Sequence, residues 1–169
     1  MRPNQNEYPR FYATYVNTVP DVEILSQMEQ QSAEGLAFYQ NIPSDQWDKG
    51  YAPGKWTLKE LLVHMIDTER IFAYRAMRIS RGDKTPLPGF EQDGYVVQSN
   101  ANERNTADII EEFNTLRQST LCLFKSFSEE MIGRTGTASN GTISVRAQMY
   151  IIAGHELHHL NIIKERYLG

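Results

Sequence analysis

Four segments of the chain repeat apolar residues every three to four positions, the spacing of one face of an α-helix. The predicted helices cover about residues 20–42, 58–81, 106–127 and 142–168. No segment alternates apolar and polar residues convincingly enough to predict a β-strand. Four helices joined by long connections predict an all-α protein with the architecture of a four-helix bundle.

Helix-capping residues mark several of these boundaries. Thr57 precedes the second helix and Glu60 follows three residues later, the spacing of a reciprocal capping box. Gly82 is a suitable stop for that helix. Thr18 is a candidate cap for the first helix, and Thr142 is predicted to cap the fourth.

Two segments lie outside the predicted helices. Residues 1–19 are mostly polar with scattered aromatic side chains, and we expect a lead-in segment that packs loosely on the body. Residues 82–105 predict a long loop with little regular structure that covers one end of the bundle, and loops of this length are usually functional or disordered. Phe90 and Tyr95 argue against disorder. The length of 169 residues predicts one domain spanning 1–169.

Composition and charge exclude several classes of function. Apolar residues make up 40% of the chain and charged residues 22%, which is typical of a globular protein. The formal net charge is −4 and no basic patch stands out, so nucleic acid is not an expected partner. No apolar run is long enough to span a bilayer, and residues 1–12 lack the apolar core of a signal peptide. We therefore expect no membrane partner and a cytoplasmic location.

The single cysteine, Cys122, excludes an intrachain disulfide and favours a reducing compartment. It lies between Leu121 and Leu123 in the third predicted helix. We therefore predict a small buried apolar side chain at this position, rather than a nucleophile.

Candidate chemistry is concentrated in the fourth helix, where three of the chain's four histidines fall in residues 155–159. His155 and His159 are one turn apart and project from the middle of an apolar face. Two neutral imidazoles in this arrangement can bind one cation together. His158 points about 60° away from His155 and is predicted to lie at the rim or in solvent.

His64, at the edge of the apolar face of the second helix, is the candidate third ligand. Three protein ligands with one open position are typical of a catalytic metal site. Glu60 or Asp67 can orient His64 through its second ring nitrogen. Each also has a simpler interpretation, since a histidine on an apolar helix face is more often a hydrogen-bonded core residue, and the two carboxylates are equally well interpreted as solvated charges.

Three motifs of the chain are informative together. They are Trp-Thr-Leu-Lys-Glu-Leu-Leu-Val-His-Met-Ile-Asp-Thr-Glu at 56–69, Pro-Gly-Phe at 88–90 and Gly-His-Glu-Leu-His-His-Leu at 154–160. In combination they resemble the DinB/YfiT-like family of metal-dependent enzymes. The resemblance implies an up-down-down-up four-helix bundle, a homodimer, and a divalent metal, nickel or zinc, held by His64, His155 and His159. Some members of the family are transferases of low-molecular-weight thiols such as bacillithiol or mycothiol, and others are described as hydrolases.

An open metal site needs little else for catalysis. A bound cation lowers the pKa of water or of a thiol and makes a nucleophile near neutral pH. We therefore expect a divalent-metal-dependent hydrolase or thiol S-transferase with a small-molecule substrate, and the ligand set does not decide between the two. Five side chains are candidate acid, base or polar groups, although each is also readily interpreted as a solvated charge or a simple hydrogen-bonding group. They are Glu60, Asp67, Glu91, Asp93 and Gln148.

Two other functions remain open. His155-Glu156-x-x-His159 matches the zinc-protease signature, in which the glutamate is the general base. Ile162 and Glu165 occupy the positions where the longer signature has glycine and histidine, and in a bundle Glu156 is predicted to lie behind the ligands or at the surface. The other alternative is a non-catalytic dimeric bundle that binds a metal or ligand. A second apolar side of the fourth helix fits either a dimer interface or a second packing neighbour.

Overall fold

The computed structural model describes all residues, 1–169. Its helices and strands are α1 (Ala13–Thr18), α2 (Ile24–Gln40), α3 (Leu58–Ser80), α4 (Gln92–Gln98), α5 (Thr106–Lys125), α6 (Glu129–Gly133), β1 (Thr135–Ala138), β2 (Gly141–Ser144) and α7 (Val145–Ile162). One π-helical turn, Ile163–Tyr167, extends α7. The long helices α2, α3, α5 and α7 correspond to the four predicted ones, and the capping box of Thr57 and Glu60 begins α3 as expected. None of the helices combines the length and the hydropathy that crossing a membrane requires.

Side-chain contacts show that α3 and α5 run parallel. Asn102, just before α5, donates a 3.0 Å hydrogen bond to Glu60 in the first turn of α3. About three turns further along both helices, Arg117 of α5 donates to Glu69 of α3 at 2.7 Å. Parallel neighbours need a long connection. Residues 81–105 therefore return the chain along the whole length of the bundle.

The other neighbouring pairs fix the remaining directions. α2 is antiparallel to α5 and α3 is antiparallel to α7, because each contact joins the early part of one helix to the late part of the other. These contacts are Glu29–Lys125 and Tyr39–Phe113 for the first pair, and Trp56–Tyr167 and His64–His155 for the second. The bundle therefore has the up-down-down-up order that the resemblance implied.

The apolar core is divided into two clusters by a polar layer halfway along the bundle. One cluster contains Phe72, Phe124 and Tyr150, and the other contains Leu62 and Phe113. Every long helix contributes buried polar side chains between them. These are Gln31 and Ser32 of α2, His64, Thr68 and Glu69 of α3, Arg117 of α5, and His155, Glu156 and His159 of α7. The histidines that the sequence singles out belong to this layer.

The prediction that residues 1–19 pack loosely is wrong. Val16 and Val19 are almost completely buried, and α1 lies directly against α7. The approach is close enough that a Cβ on Gly154 would lie 1.9 Å from the Tyr15 carbonyl oxygen. The second apolar side of α7 is thereby covered by other parts of the same chain, so packing within one chain explains why that side is apolar. The predicted cap Thr18 ends α1, and α2 is capped by Glu23 instead.

The segment 82–105 contains more regular structure than we predicted. Glu91 caps the two-turn helix α4 by accepting from the backbone N–H groups of Asp93 and Gly94. Leu87 is buried and exchanges backbone hydrogen bonds with the strand region, at 2.9 Å to the Thr137 oxygen and 3.1 Å from the Ser139 N–H. Residues 82–105 show little apolar periodicity because α4 is exposed on most sides. Val96 is the buried residue of this helix.

A β-hairpin precedes α7, which corrects the prediction of no strands. β1 and β2 pair antiparallel with Thr135 opposite Ser144, and the connecting Ser139 and Asn140 both have positive φ. Two-residue hairpin loops require this conformation, which asparagine tolerates well. Strands of four residues are too short to show a clear alternation. Cys122 is also placed differently from the prediction, because its side chain is exposed while Leu121 faces the core.

Ser144, rather than the predicted Thr142, caps α7, and this distinction is testable. The Ser144 hydroxyl accepts from the Ala147 N–H at 2.9 Å and donates to Glu7 at 2.8 Å, whereas Thr142 is exposed in β2. We expect Ser144→Ala to lower the free energy of unfolding by about 1–2 kcal/mol, the usual value of such a cap. Thr142→Ala is the control and should change it by less than about 0.5 kcal/mol. Equal effects in urea unfolding would contradict the assignment.

Candidate metal centre

Three histidines from two helices meet in the polar layer. His64 lies on α3, and His155 and His159 lie one turn apart on α7. The Nε2 atom of His155 is 3.1 Å from Nε2 of His64 and 3.0 Å from Nε2 of His159. All three rings are buried, and their nitrogens form a group of the size that can hold one metal ion. The structure therefore brings together the three histidines that the sequence identified.

Burial keeps these imidazoles neutral. It lowers the pKa of His64 to about 4 and, with His64 and His158 nearby, the pKa of His159 to about 3. The pKa of His155 is also well below its usual value because of burial and its three histidine neighbours. A neutral imidazole is the form that ligates metals. Since one Nε2–H cannot donate to two neighbours at once, three converging Nε2 atoms are better satisfied by a shared cation than by one another.

The two carboxylates that the sequence suggests as hydrogen-bond partners of His64 are engaged elsewhere. Glu60 accepts from the Thr57 N–H and from Asn102, and Asp67 pairs with Arg70 at 3.5 Å. The second ring nitrogen of His159, Nδ1, is buried and has no hydrogen-bond partner in the protein. Metal-binding histidines usually donate this second N–H to an acceptor. Glu60 and Asp67 therefore do not accept a hydrogen bond from the second ring nitrogen of any of the three histidines.

Two aromatic rings lie against the histidines. The Trp56 ring is 4.9 Å from the His64 ring, and the Tyr15 ring is 5.1 Å from the His155 ring with the planes nearly perpendicular. His158 is half-buried beside Tyr15 and does not belong to the converging group, in agreement with its predicted position at the rim.

A cavity of about 290 Å³ opens onto His64 and His155. Apart from the histidines it is lined by Phe11, Tyr12, Tyr15, Phe72, Phe90, Ile151, Thr68, Glu91 and Gln92, and we call it the aromatic cavity. The Thr68 hydroxyl is buried without a hydrogen-bond partner. A ligand that fills the cavity can satisfy it, since an unpaired buried polar group is costly. No pattern in the sequence indicates that the N-terminal residues form a wall of this cavity.

A buried charge cluster lies behind His155. Arg117 contacts Glu69 through both Nε and Nη2, and its Nη1 donates to Glu156 at 2.7 Å. Gln31 of α2 also donates to Glu156, at 3.0 Å. All four side chains are almost completely buried. The cluster therefore ties α7, next to its metal-ligand candidate His155, to the other three long helices.

Burial and the charges of the cluster shift the pKa values of Glu156 and Arg117. Burial raises the pKa of the Glu156 carboxyl, against the opposing effect of Arg117. Burial acts to lower the pKa of Arg117, but Glu156 and Glu69 raise it above its usual value. Glu156 is only 2% exposed, so a surface position for it is wrong. One feature of the sequence does indicate a buried charge cluster: Glu69 and Arg117 are charged residues within apolar helix faces.

Four candidate polar groups lie away from the converging nitrogens or are already engaged. Both Glu91 oxygens accept backbone N–H groups, although its side chain lines the aromatic cavity. Asp93 is exposed, and Gln148 is buried with a long 3.4 Å hydrogen bond to the Ser144 carbonyl. Glu156 is held by Arg117 and Gln31. None of these side chains hydrogen-bonds to the three histidines.

Comparison with known proteins agrees with this architecture. A protein of Oceanobacillus iheyensis named "Putative metal-dependent hydrolase OB0413" is 25% identical over 150 residues, which cover 87% of this chain and 86% of the relative. YfiT from Bacillus subtilis, described as "a probable metal-dependent hydrolase with an unusual four-helix bundle topology", superposes with a TM-score of 0.73 at 14% identity, covering 98% of this chain and 90% of YfiT.

A second solved structure, the mycothiol-dependent maleylpyruvate isomerase, superposes with a TM-score of 0.69 at 12% identity and covers 88% of this chain and 62% of the isomerase. At these identities, the two structural likenesses show a shared fold. The family model of the DinB superfamily matches residues 27–163, which include all four long helices except the first turn of α2. This chain therefore belongs to the DinB superfamily.

Proposed function

We propose that His64, His155 and His159 bind one divalent cation and that the protein is a metal-dependent enzyme acting on a small molecule. The observation that carries the proposal is the convergence of three buried, neutral imidazoles, in which the Nε2 atoms of His64 and His159 lie within 3.1 Å of Nε2 of His155. Imidazole ligands suit nickel and zinc among the common divalent metals. The names of the relatives support metal dependence without assigning it to particular residues of this chain.

The protein's own residues supply binding and orientation at this centre. When bound, the cation would provide a Lewis acid that lowers the pKa of water or of a thiol. The aromatic cavity binds the organic substrate next to His64 and His155, and its rings exclude water from the reacting groups. The Thr68 hydroxyl is positioned to hydrogen-bond the substrate, because it lines the same cavity and has no protein partner.

The alternative of a zinc protease has less support. A protease of that class needs the glutamate after the first histidine as a general base close to the substrate. Here the Glu156 carboxylate faces Arg117 and Gln31, and one of its oxygens lies against Gly35 of α2. Hydrolysis of small substrates and S-transfer from a low-molecular-weight thiol both remain compatible with the site.

Removal and replacement of the metal test whether the protein is an enzyme. We expect protein treated with a chelator to lose turnover by at least about 100-fold and to regain it on addition of zinc or nickel, because activation of water or of a thiol would depend on a cation held by the three histidines. The assays are hydrolysis of small esters and amides, and transfer of a thiol to 1-chloro-2,4-dinitrobenzene. A metal-loaded protein inactive in all of them would favour the non-catalytic bundle.

The dimer is a further proposal that rests on the resemblance, and the cytoplasmic location is a further proposal that rests on the single cysteine of the sequence. The second apolar side of α7 is not available as the interface, because Met149 and Ala153 on it are fully buried within one chain. A dimer must therefore use another surface. Sedimentation equilibrium should give twice the chain mass of 19.4 kDa, and a single-chain mass at micromolar concentration would contradict the proposal.

A further inference from the structure

The guanidinium of Arg75, on α3, is buried without an acidic partner. Three lysine or arginine side chains of the chain are buried, and the other two have carboxylate partners, since Arg117 pairs with two glutamates and Lys59 pairs with Asp48. Arg75 is 2% exposed and forms no ion pair. A buried charge without a counter-charge is costly, so its presence calls for an explanation.

The hydrogen bonds of Arg75 go to uncharged acceptors and leave one donor group unused. Its Nη2 atom donates to the Pro88 carbonyl at 2.6 Å and to the Ser139 hydroxyl at 3.2 Å. Its Nη1 atom is buried and has no hydrogen-bond partner. A guanidinium presents its N–H groups in a planar fork that matches the two oxygens of a carboxylate. An anionic ligand would therefore satisfy both the unpaired charge and the unused donor.

Arg75 lies directly behind the wall of the aromatic cavity. Its guanidinium carbon is 5.2 Å from the centre of the Phe72 ring and 5.8 Å from the centre of the Phe90 ring, and both rings line the cavity. Arg75 follows His64 by eleven residues, which is about three turns, so the two residues share one face of α3. A ligand that reaches both must therefore carry its anionic group at the opposite end from the group beside the histidines.

The Phe90 ring is the part of this wall that can move. Phe90 lies in the connection between α3 and α4, is half-buried and follows two exposed residues, whereas Phe72 is 2% exposed within α3. Rotation of the Phe90 side chain would open Arg75 to the cavity without displacing a helix. The acidic side chain that lines the cavity, Glu91, is not available as a partner, because both of its oxygens accept backbone N–H groups.

We propose that Arg75 binds the carboxylate of an apolar organic acid that occupies the aromatic cavity, and that the Phe90 ring turns aside to admit it. The apolar body of the acid packs against the aromatic side chains, and its far end lies beside His64 and His155. That this acid is the substrate rests on the proposed function, whereas its binding to Arg75 does not.

Phenylacetate and phenylacetamide test the assignment, because they have nearly the same shape and differ in charge. NMR titrations of the full chain, with and without zinc, give both dissociation constants, and the zinc-free titration excludes binding of the carboxylate through the cation. We expect phenylacetate to bind about 10-fold more tightly than phenylacetamide, since hydrogen bonds between charged groups are the stronger ones. Arg75→Met should abolish this preference and leave the affinity for phenylacetamide within about twofold. Arg81→Met is the charge-matched control, because Arg81 is exposed just after α3, and it should keep the preference.

Further variants separate ligand binding from a purely structural role. Arg75→Met removes two hydrogen bonds but also an unpaired buried charge, so the melting temperature should change by less than about 3 °C. Arg75→Lys keeps the charge without the planar fork and should lower the preference to about threefold or less, which decides the question even if the methionine variant does not fold. Phe90→Ala should raise the preference, because the carboxylate no longer has to displace the ring, and a lower preference would contradict the role of the ring as a cover.

Three results would overturn the inference even if the protein is an active metalloenzyme. They are no binding of phenylacetate at millimolar concentration, equal affinities of the native protein for the two ligands, and a full preference retained in both Arg75 variants. The last result would assign Arg75 to the fold alone. A protein that prefers phenylacetate through Arg75 but binds no metal would instead contradict the proposed function and leave the carboxylate site intact.

Discussion

Replacing Arg117 with methionine is expected to lower the free energy of unfolding by about 3–5 kcal/mol, a large part of the stability of a typical domain. Arg117 is 1% exposed and is the cation that faces both Glu69 and Glu156. Its loss leaves two buried carboxylates facing each other without a counter-charge. The melting temperature should fall by roughly 10 °C for a chain of this size. Urea unfolding followed by circular dichroism measures the change.

Two variants define what the Arg117 result means. Arg70→Met removes an arginine from a half-exposed pair with Glu112 and should cost less than about 1 kcal/mol. A triple variant, with Arg117→Met, Glu69→Leu and Glu156→Leu, should recover most of the stability, because no unpaired charge remains. If the single Arg117 variant unfolds at the same urea concentration as the Arg70 control, the charge cluster does not hold the helices together as described.

Gly154→Ala is the second substitution expected to have a large effect. Alanine favours a helix interior over glycine by about 1 kcal/mol, so helix propensity alone predicts stabilisation. In this protein the new Cβ would lie 1.9 Å from the Tyr15 carbonyl oxygen, and backbone atoms must move to relieve the overlap. We expect a net loss of about 2–3 kcal/mol, typical of overpacking, together with displacement of α1. Tyr15 then moves away from His155, which opens the aromatic cavity.

Limited proteolysis and urea unfolding together measure the Gly154 effect. Cleavage within residues 1–19 should become faster in the variant, because α1 is no longer held against α7. Gly133→Ala is the matched control, since a Cβ there meets no atom closer than 3.9 Å, and it should change stability by less than about 0.5 kcal/mol. A Gly154→Ala protein that is more stable than the native one would show that α1 does not pack closely on α7.

The sequence was sufficient to predict the four long helices and the converging histidines. Both predictions depend on local spacing, because apolar residues at helical intervals place His64, His155 and His159 on buried faces. The up-down-down-up order came from the family resemblance. Its physical basis is visible only in contacts such as Arg117–Glu69, which join residues 48 positions apart.

Other features of the site could not be predicted because they depend on contacts distant in sequence. Residues 1–19 look polar and irregular, yet Val16 and Val19 are buried against a helix that begins more than 120 residues later. The hairpin before α7 cannot be predicted from the sequence, because strands of four residues show too little alternation. The role of Glu156 was also hidden, since its partners Arg117 and Gln31 lie on two other helices.

The metal content of the purified, untagged protein, measured by elemental mass spectrometry, is the sharpest test of the three-histidine site. We expect close to one nickel or zinc per chain in the native protein and after reconstitution, with metal lost from His64→Ala, His155→Ala and His159→Ala. His158→Ala is the matched control and should keep its metal, because His158 lies outside the converging group. Native protein that binds no metal after reconstitution with zinc and nickel would contradict the proposed site, as would metal retained by all three ligand variants.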